Sequence, residues 1–113
     1  MRDIEFKAID PANGMWYHGY YIFTNGLHKI ITDDGFVIVN PKTVCQFSGL
    51  FDKHRNKIFE DDIVEWNGER FICRFSNGCF DFVTEDGKPM ANCFAMLSEI
   101  KENIHDKSTK NDR

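Results

Sequence analysis

The sequence has no long hydrophobic run. Its longest is Phe36-Val37-Ile38-Val39, far below the roughly 20 apolar residues that span a bilayer. No stretch carries a basic amphipathic face, so no membrane contact is expected. The start, Met1-Arg2-Asp3-Ile4-Glu5-Phe6-Lys7, alternates charged and apolar residues. It lacks the continuous apolar core of a secretory signal, and a cytoplasmic location is the expectation. There is no basic excess: 14 Lys and Arg stand against 18 Asp and Glu, a formal charge of -4. That balance excludes attachment to DNA mainly by counterion release. No two of Cys45, Cys73, Cys79 and Cys93 form a C-x-x-C pair, which argues against a structural zinc site and for four buried free thiols. His18, His28, His54 and His105 are scattered with no link to a Cys or Ser nucleophile, so neither a catalytic residue nor a cofactor is expected.

What the chain does have is aromatic bulk and turn chemistry. Its 113 residues include 11 Phe, 3 Tyr and 2 Trp, enough large side chains for one compact core without metals or crosslinks. Six of the eight glycines follow Asn or Asp: Asn13-Gly14, Asn25-Gly26, Asp34-Gly35, Asn67-Gly68, Asn77-Gly78 and Asp86-Gly87. Such dipeptides suit two-residue type I′ hairpins, because both central residues need positive φ. They form two clusters, one within residues 4 to 40 and one within 62 to 92. In the second, a loop at Asn77-Gly78 sets Ser76 opposite Cys79, Phe75 opposite Phe80 and Arg74 opposite Asp81. A loop at Asn67-Gly68 sets Glu65 opposite Arg70 and Val64 opposite Phe71. Both registers put Val64, Trp66, Phe71, Cys73, Phe75, Phe80 and Phe82 on one aromatic face, with Cys73 and Cys79 on opposite sides of the hairpin. Asp86-Gly87 pairs Glu85 with Lys88 and leads into Pro89, after which pairing should weaken.

The first cluster reads as strands near 4 to 9, 16 to 24, 27 to 33 and 36 to 40, with Asn25-Gly26 pairing Phe23 to His28 and Tyr21 to Ile30. Both faces of these strands are largely apolar, which fits a sandwich or barrel interior or an oligomer contact, and self-association is expected. Residues 92 to 104 read as a short helix with Asn92 as N-cap and Phe94, Leu97, Lys101 and Ile104 spaced three or four apart, the alternative being a strand over Cys93 to Ile100. Residues 105–113 are polar and read as a flexible tail. The fold expected is mainly β: a meander of six to nine short strands in a barrel-like or sandwich core, forming a single domain over residues 1–104.

The segment between the clusters carries Thr43, Val44, Gln46, Phe47, Gly49, Leu50, Asp52, Lys53, Lys57, Ile58, Phe59, Glu60, Asp62, Ile63 and Val64. In these residues it resembles the YopX family of phage and prophage proteins. Phe6-Lys7-Ala8 with Asp10, and Trp16 with Gly19, extend the resemblance over most of residues 1 to 66. The sequence departs from the family pattern at Asn56, where Gly is usual, and at Asp61, where Gly commonly precedes the aspartate. Ile100-Lys101-Glu102-Asn103-Ile104 stands where the family often has a Gly-containing segment. The resemblance implies a small, mainly β, cytoplasmic and often oligomeric protein of a phage or prophage, and it supplies no catalytic residue.

One loop stands out as a candidate interaction surface: Asp52, Lys53, His54, Arg55, Lys57, Glu60 and Asp61. Its basic part could meet phosphate or an acidic partner, and a solvated loop is the plainer reading. Glu60, Asp61 and Asp62 carry the ligand type that hard cations favour, but three consecutive residues cannot all point one way. The function expected is therefore non-enzymatic: an accessory protein that binds a host or phage protein, in the sharper version a modulator or inhibitor of a host or defence protein. The alternative is a small β-barrel that binds nucleic acid directly through Lys53, Arg55 and Lys57 with aromatic stacking, which the net charge disfavours.

Overall fold

The computed structural model describes residues 4–106. It is built almost wholly from antiparallel strands, eleven rather than six to nine, because several are only two to five residues long. The chain divides into two compact units, Met1–Phe47 and Ser48–Arg113.

In the first unit, β1 (Phe6–Asp10), β2 (Met15–Thr24), β3 (Leu27–Thr32), β4 (Gly35–Ile38) and the start of β5 (Cys45–Phe51) lie in the order β4-β3-β2-β1-β5. Asn25-Gly26 reverses the chain in two residues, with Asn25 at φ 53 and Gly26 at φ 76. The resulting register is the one its chemistry demands, Phe23↔His28 and Tyr21↔Ile30. Two of the other turns differ from expectation. Asp10↔Met15 leaves Pro11–Gly14 as a four-residue loop. It is closed by Gly14 N–H on the Asp10 carbonyl at 2.7 Å and by Ala12 N–H on the Asp10 carboxylate at 2.8 Å. Thr32↔Gly35 makes Asp33-Asp34, not Asp34-Gly35, the β3–β4 turn. The Thr32 hydroxyl accepts from Asp34 N–H there and fixes the shift.

Strand β2 serves two neighbours in succession, β1 along Met15–Gly19 and β3 along Tyr20–Thr24. The change happens at Gly19, where a Cβ would stand 1.9 Å from the Ile31 carbonyl oxygen. Only glycine lets the backbones approach this closely. The inner face of this unit holds Ala8, Ile30 and Val39, with Phe6, Tyr17, Tyr21, Val37 and Val44 against them.

In the second unit, β6 (Lys57–Phe59) lies beside the end of β5. β7 (Asp62–Trp66), β8 (Glu69–Ser76), β9 (Cys79–Val83), β10 (Pro89–Met90) and β11 (Glu99–Asn103) form a sheet in the order β10-β9-β8-β7-β11. Neither sheet closes into a barrel. Asn67-Gly68 and Asn77-Gly78 are both two-residue turns at positive φ, and they set Val64↔Phe71, Glu65↔Arg70, Phe75↔Phe80 and Arg74↔Asp81. The aromatic face they create buries Val64, Phe71, Cys73 and Phe82 with Ile58, Met90 and Ala95. Each fully buried phenylalanine removes apolar area worth about 2–3 kcal/mol. Phe75, at the hairpin tip, stays half exposed. The Asp86 turn is one residue longer than expected: Pro89 pairs with Val83, and Thr84, not Glu85, faces Lys88 through Thr84 N–H on the Lys88 carbonyl. As Pro89 suggests, pairing ends one residue later, at Met90.

The helix expected over 92–104 does not form. Asn92–Leu97 is a 3-10 turn whose N-cap is Ala91, and the Asn92 side chain instead donates to the Phe80 carbonyl at 3.0 Å. The turn seats Ala95 under the aromatic face and stacks Phe94 on Trp66, ring centroids 4.6 Å apart. Glu99–Asn103 then pairs with β7, with a register shift between Ile100 and Glu102. The free edge of β7 satisfies a row of backbone groups, which outweighs a weak helical period. Of the polar stretch 105–113, His105 and Asp106 are described and engaged: His105 N–H reaches the Asn103 side chain and the Asp106 carboxylate accepts from Asn103 N–H. The remainder, 107–113, lies outside the described residues.

Gly19→Ala is expected to destabilise the first unit by about 2 kcal/mol or more, since the clash is with backbone and cannot be relieved by a rotamer change. Urea unfolding followed by tyrosine and tryptophan fluorescence measures it.

Candidate interaction surfaces

Asp52 organises the basic part of the predicted loop. Its carboxylate is buried, 3% exposed, and one oxygen accepts from the backbone N–H groups of His54 and Asn56, each at 2.9 Å. The other accepts from Ile100 N–H at 3.1 Å. Burial opposes the charge on this carboxyl, but the N–H donors of Asn56, Ile100 and His54 and the nearby His54 ring outweigh it and hold the pKa below the ordinary value. Lys53 N–H on the Ser98 carbonyl, at 2.8 Å, completes the attachment of the loop to the start of β11. Lys53, His54 and Arg55 therefore project outward. Two of them are partly matched: Lys53 Nζ and His54 Nε2 lie 3.8 and 3.5 Å from the Glu99 carboxylate. Lys101 shares that carboxylate and, by hydrogen bond and charge, keeps its pKa low. Lys57 is half-buried on β6.

The acidic part, Glu60-Asp61-Asp62, is held at the other end of β11. Asp62 is buried, accepting from Phe59 N–H at 2.8 Å and from the Asn103 side-chain amide at 2.9 Å. Asp61 meets His105 Nε2 at 2.8 Å. Asp61 N–H donates to the Cys73 carbonyl and Ile104 N–H to the Asp61 carbonyl. The carboxylates of Asp61 and Asp62 thus have different partners, and the two halves of the predicted loop dock at Ile100 and Asn103 of β11, three residues or about 10 Å apart. Sequence reasoning missed β11 as their common support, and nothing in the spacing of Asn103 or His105 signals it.

The cysteines need correction. Cys45 and Cys73 are buried, but Cys79 and Cys93 are exposed, and none of the four is in a disulfide. Cys79 opens β9 on the face away from the aromatic core, as the register requires, and Cys93 lies on the outer side of the 3-10 turn that points Ala95 inward. Burial above all, then the carboxylates of Asp62, Glu60, Asp61 and Asp81, pushes the Cys73 thiol up. That thiol is inert as a nucleophile at neutral pH.

A further surface feature, in the first unit, is apolar. Along the first unit's sheet, Tyr21, Ile30 and Val37 form a cross-strand row facing the core, so the adjacent row Tyr20, Ile31 and Phe36 faces out. Ile22, Lys29 and Ile38 continue this outer face, and Thr24 and Leu27 end it. Exposures are 67% for Tyr20, 57% for Phe36, 45% for Ile38, 41% for Leu27 and 37% for Ile22. Lys29 is the one charge among these rows. Its ammonium lies 4.6 Å over the Phe36 ring and donates to the Thr24 hydroxyl at 3.2 Å.

Comparison with known protein families matches residues 6–110 to the family described as YopX protein. The chain belongs to the YopX family. No curated protein matches it. Two loop positions that depart from the expected pattern bear on the backbone. Besides the turn asparagines Asn25, Asn67 and Asn77, Asp61 is left-handed at φ 72 and Arg55, rather than Asn56, at φ 67. Left-handed backbone costs a non-glycine residue about 1 kcal/mol. Among the described residues no helix is long and apolar enough to cross a membrane.

Two outcomes follow from this geometry. Asp52→Asn should cost about 2 kcal/mol at pH 7, because an amide nitrogen would face a backbone donor. A carboxyl whose folded pKa lies below its unfolded value stabilises fully above about pH 5, and that contribution is lost as pH falls through the folded pKa. Urea titrations should therefore show a constant gap between wild type and variant from pH 7 to about 5, shrinking below about pH 4. Arg55→Gly should raise stability by about 0.5–1 kcal/mol by relieving the left-handed backbone, read from the same titrations.

Proposed function

We propose that this YopX protein is a phage- or prophage-type accessory protein of the cytoplasm, non-enzymatic, that works by binding protein through the outer face of β2, β3 and β4. The observation carrying this reading is the contiguous run of Tyr20, Ile22, Leu27, Phe36 and Ile38 on one sheet face, all more than a third exposed. Exposed apolar patches of this extent on a sheet mark interaction sites more often than accident. The loop of Asp52, Lys53, His54, Arg55 and Lys57 supports a secondary role at most: Glu99 already faces Lys53 and His54, which weakens the loop's attraction for phosphate and with it the nucleic-acid reading.

The test compares tagged wild type with Tyr20→Thr/Phe36→Thr, which keeps strand propensity and removes both rings, in affinity capture from a nuclease-treated lysate. Protein recovered in stoichiometric amount with wild type and lost with the folded double variant is the expected result. An unchanged set of recovered proteins, or retention of nucleic acid with steep salt dependence, would overturn the reading.

A further inference from the structure

Resting on the reading that a protein partner covers the outer β2-β3-β4 face, we propose that this partner docks by adding an extended segment of its own chain, antiparallel, to the open edge of β4. Read from its N-terminus, the segment has the pattern acid-x-apolar-x-base. It prolongs the sheet, and the rest of the partner lies over Tyr20, Ile22 and Leu27.

Strand β4 ends the row β4-β3-β2-β1-β5-β6. Its ladder decides which backbone groups face outward. Val39 N–H donates to the His28 carbonyl at 3.0 Å, so by the two-residue alternation of an antiparallel pair Val37 and Gly35 also turn their polar groups toward β3. Phe36 and Ile38 turn theirs the other way. Asn40, next in the same parity, shows where that edge points: its N–H leaves the ladder and donates to the Ile9 carbonyl at 2.9 Å. Among the described residues nothing does the same for Phe36 or Ile38. Two N–H and two C=O groups along an extended stretch are a template for one more strand.

The other sheet edges are guarded. β6 is three residues long and opens on Lys57, and β10 is two residues long with Pro89 exposed. β11 exposes Lys101 and carries a register shift between Ile100 and Glu102. Charges, prolines and irregularities of this kind keep further strands away. Gly35-Phe36-Val37-Ile38 has no charge and no proline, and both Phe36 and Ile38 are exposed.

Charge sets the chemistry of the occupant. Lys29 stands opposite Ile38, and its ammonium reaches across to β4, 4.6 Å over the Phe36 ring. It has no carboxylate partner among the described residues. Asp33 and Asp34, at the other end of β4, form no ion pair among them either. An antiparallel segment sets one residue opposite Ile38 and, two residues on, another opposite Phe36, with both side chains on the outer face. An acid in the first place meets the Lys29 ammonium. An apolar residue in the second continues the row Tyr20-Ile31-Phe36. A base two residues further reaches the Asp33-Asp34 turn, while Ile9, already in place at Asn40, ends the open edge on the acid's side.

A short peptide with Glu-Thr-Ile-Thr-Lys at its centre, titrated into the isotope-labelled full chain, tests this by amide hydrogen exchange. Exchange at the Phe36 and Ile38 N–H groups should slow about tenfold or more as the peptide saturates. Ile38→Pro removes one outward donor, leaves the bonds to β3 and suits an edge strand; the protection at Phe36 should vanish with it, whereas Ile38→Val should behave as wild type. A peptide with Glu-Thr-Ile-Thr-Glu should bind about threefold more weakly, and Asp33→Lys/Asp34→Lys should reverse that preference. Unchanged exchange at both amides at about 2 mM peptide, beyond the range of specific recognition, would overturn the proposal. So would binding indifferent to Ile38→Pro, equal affinity for the two peptides, or protection that grows with protein concentration alone, the mark of a second copy. In the lysate capture, a partner retained by Ile38→Pro and lost from Tyr20→Thr/Phe36→Thr would remove strand addition and leave the face as the binding site. Recovery unchanged in both variants would remove both readings.

Discussion

A β-strand turns successive side chains to opposite faces, and a sheet with one covered side can bury only every second residue. In the first unit the apolar residues of β2, β3 and β4 occupy both parities. Tyr21, Ile30 and Val37 face the core, and the next row, Tyr20, Ile31 and Phe36, faces outward. No rotamer change or local repacking hides the second row, because a one-residue slip would only exchange the two faces. The proposed function is a consequence of that alternation.

The second unit meets the same constraint differently. Its aromatic face is covered by its own chain: the 3-10 turn brings in Ala95 and Phe94, and β11 closes the edge of β7. Strand β11 also carries the attachments of two loops. The buried Asp52 carboxylate takes Ile100 N–H, and the Asn103 amide bridges toward Asp62. A backbone N–H held by a buried carboxylate is a stronger tie than a neutral one. The basic outer rim at Lys53 to Arg55 is thus displayed from a firm base, and a left-handed Arg55 is tolerated within it.

Much of this was legible from local chemistry. Asn25-Gly26, Asn67-Gly68 and Asn77-Gly78 fix turn type and register together, so the face carrying Phe71, Cys73 and Phe82 could be read directly. Asp34-Gly35 misled, because the Thr32 hydroxyl drew the turn back to Asp33-Asp34. The helix over 92–104 failed for a different reason: what decides Glu99–Asn103 is the edge of β7, more than thirty residues away, which no local period reports. The buried state of Asp52 and the pairing of Asp61 with His105 depend on that same strand. The loop residues were therefore identified while the groups that hold them were not.

The central claim is that the β2-β3-β4 face is covered in the working state of the protein. Hydroxyl-radical footprinting of the tagged chain, purified alone and captured with its lysate proteins, tests it residue by residue. Oxidation of Tyr20 and Phe36 should be lower in the captured material than in the purified chain, while Met96 and Phe75, exposed in the second unit, should react equally in both. Equal oxidation of Tyr20 and Phe36 in the two samples would contradict the account.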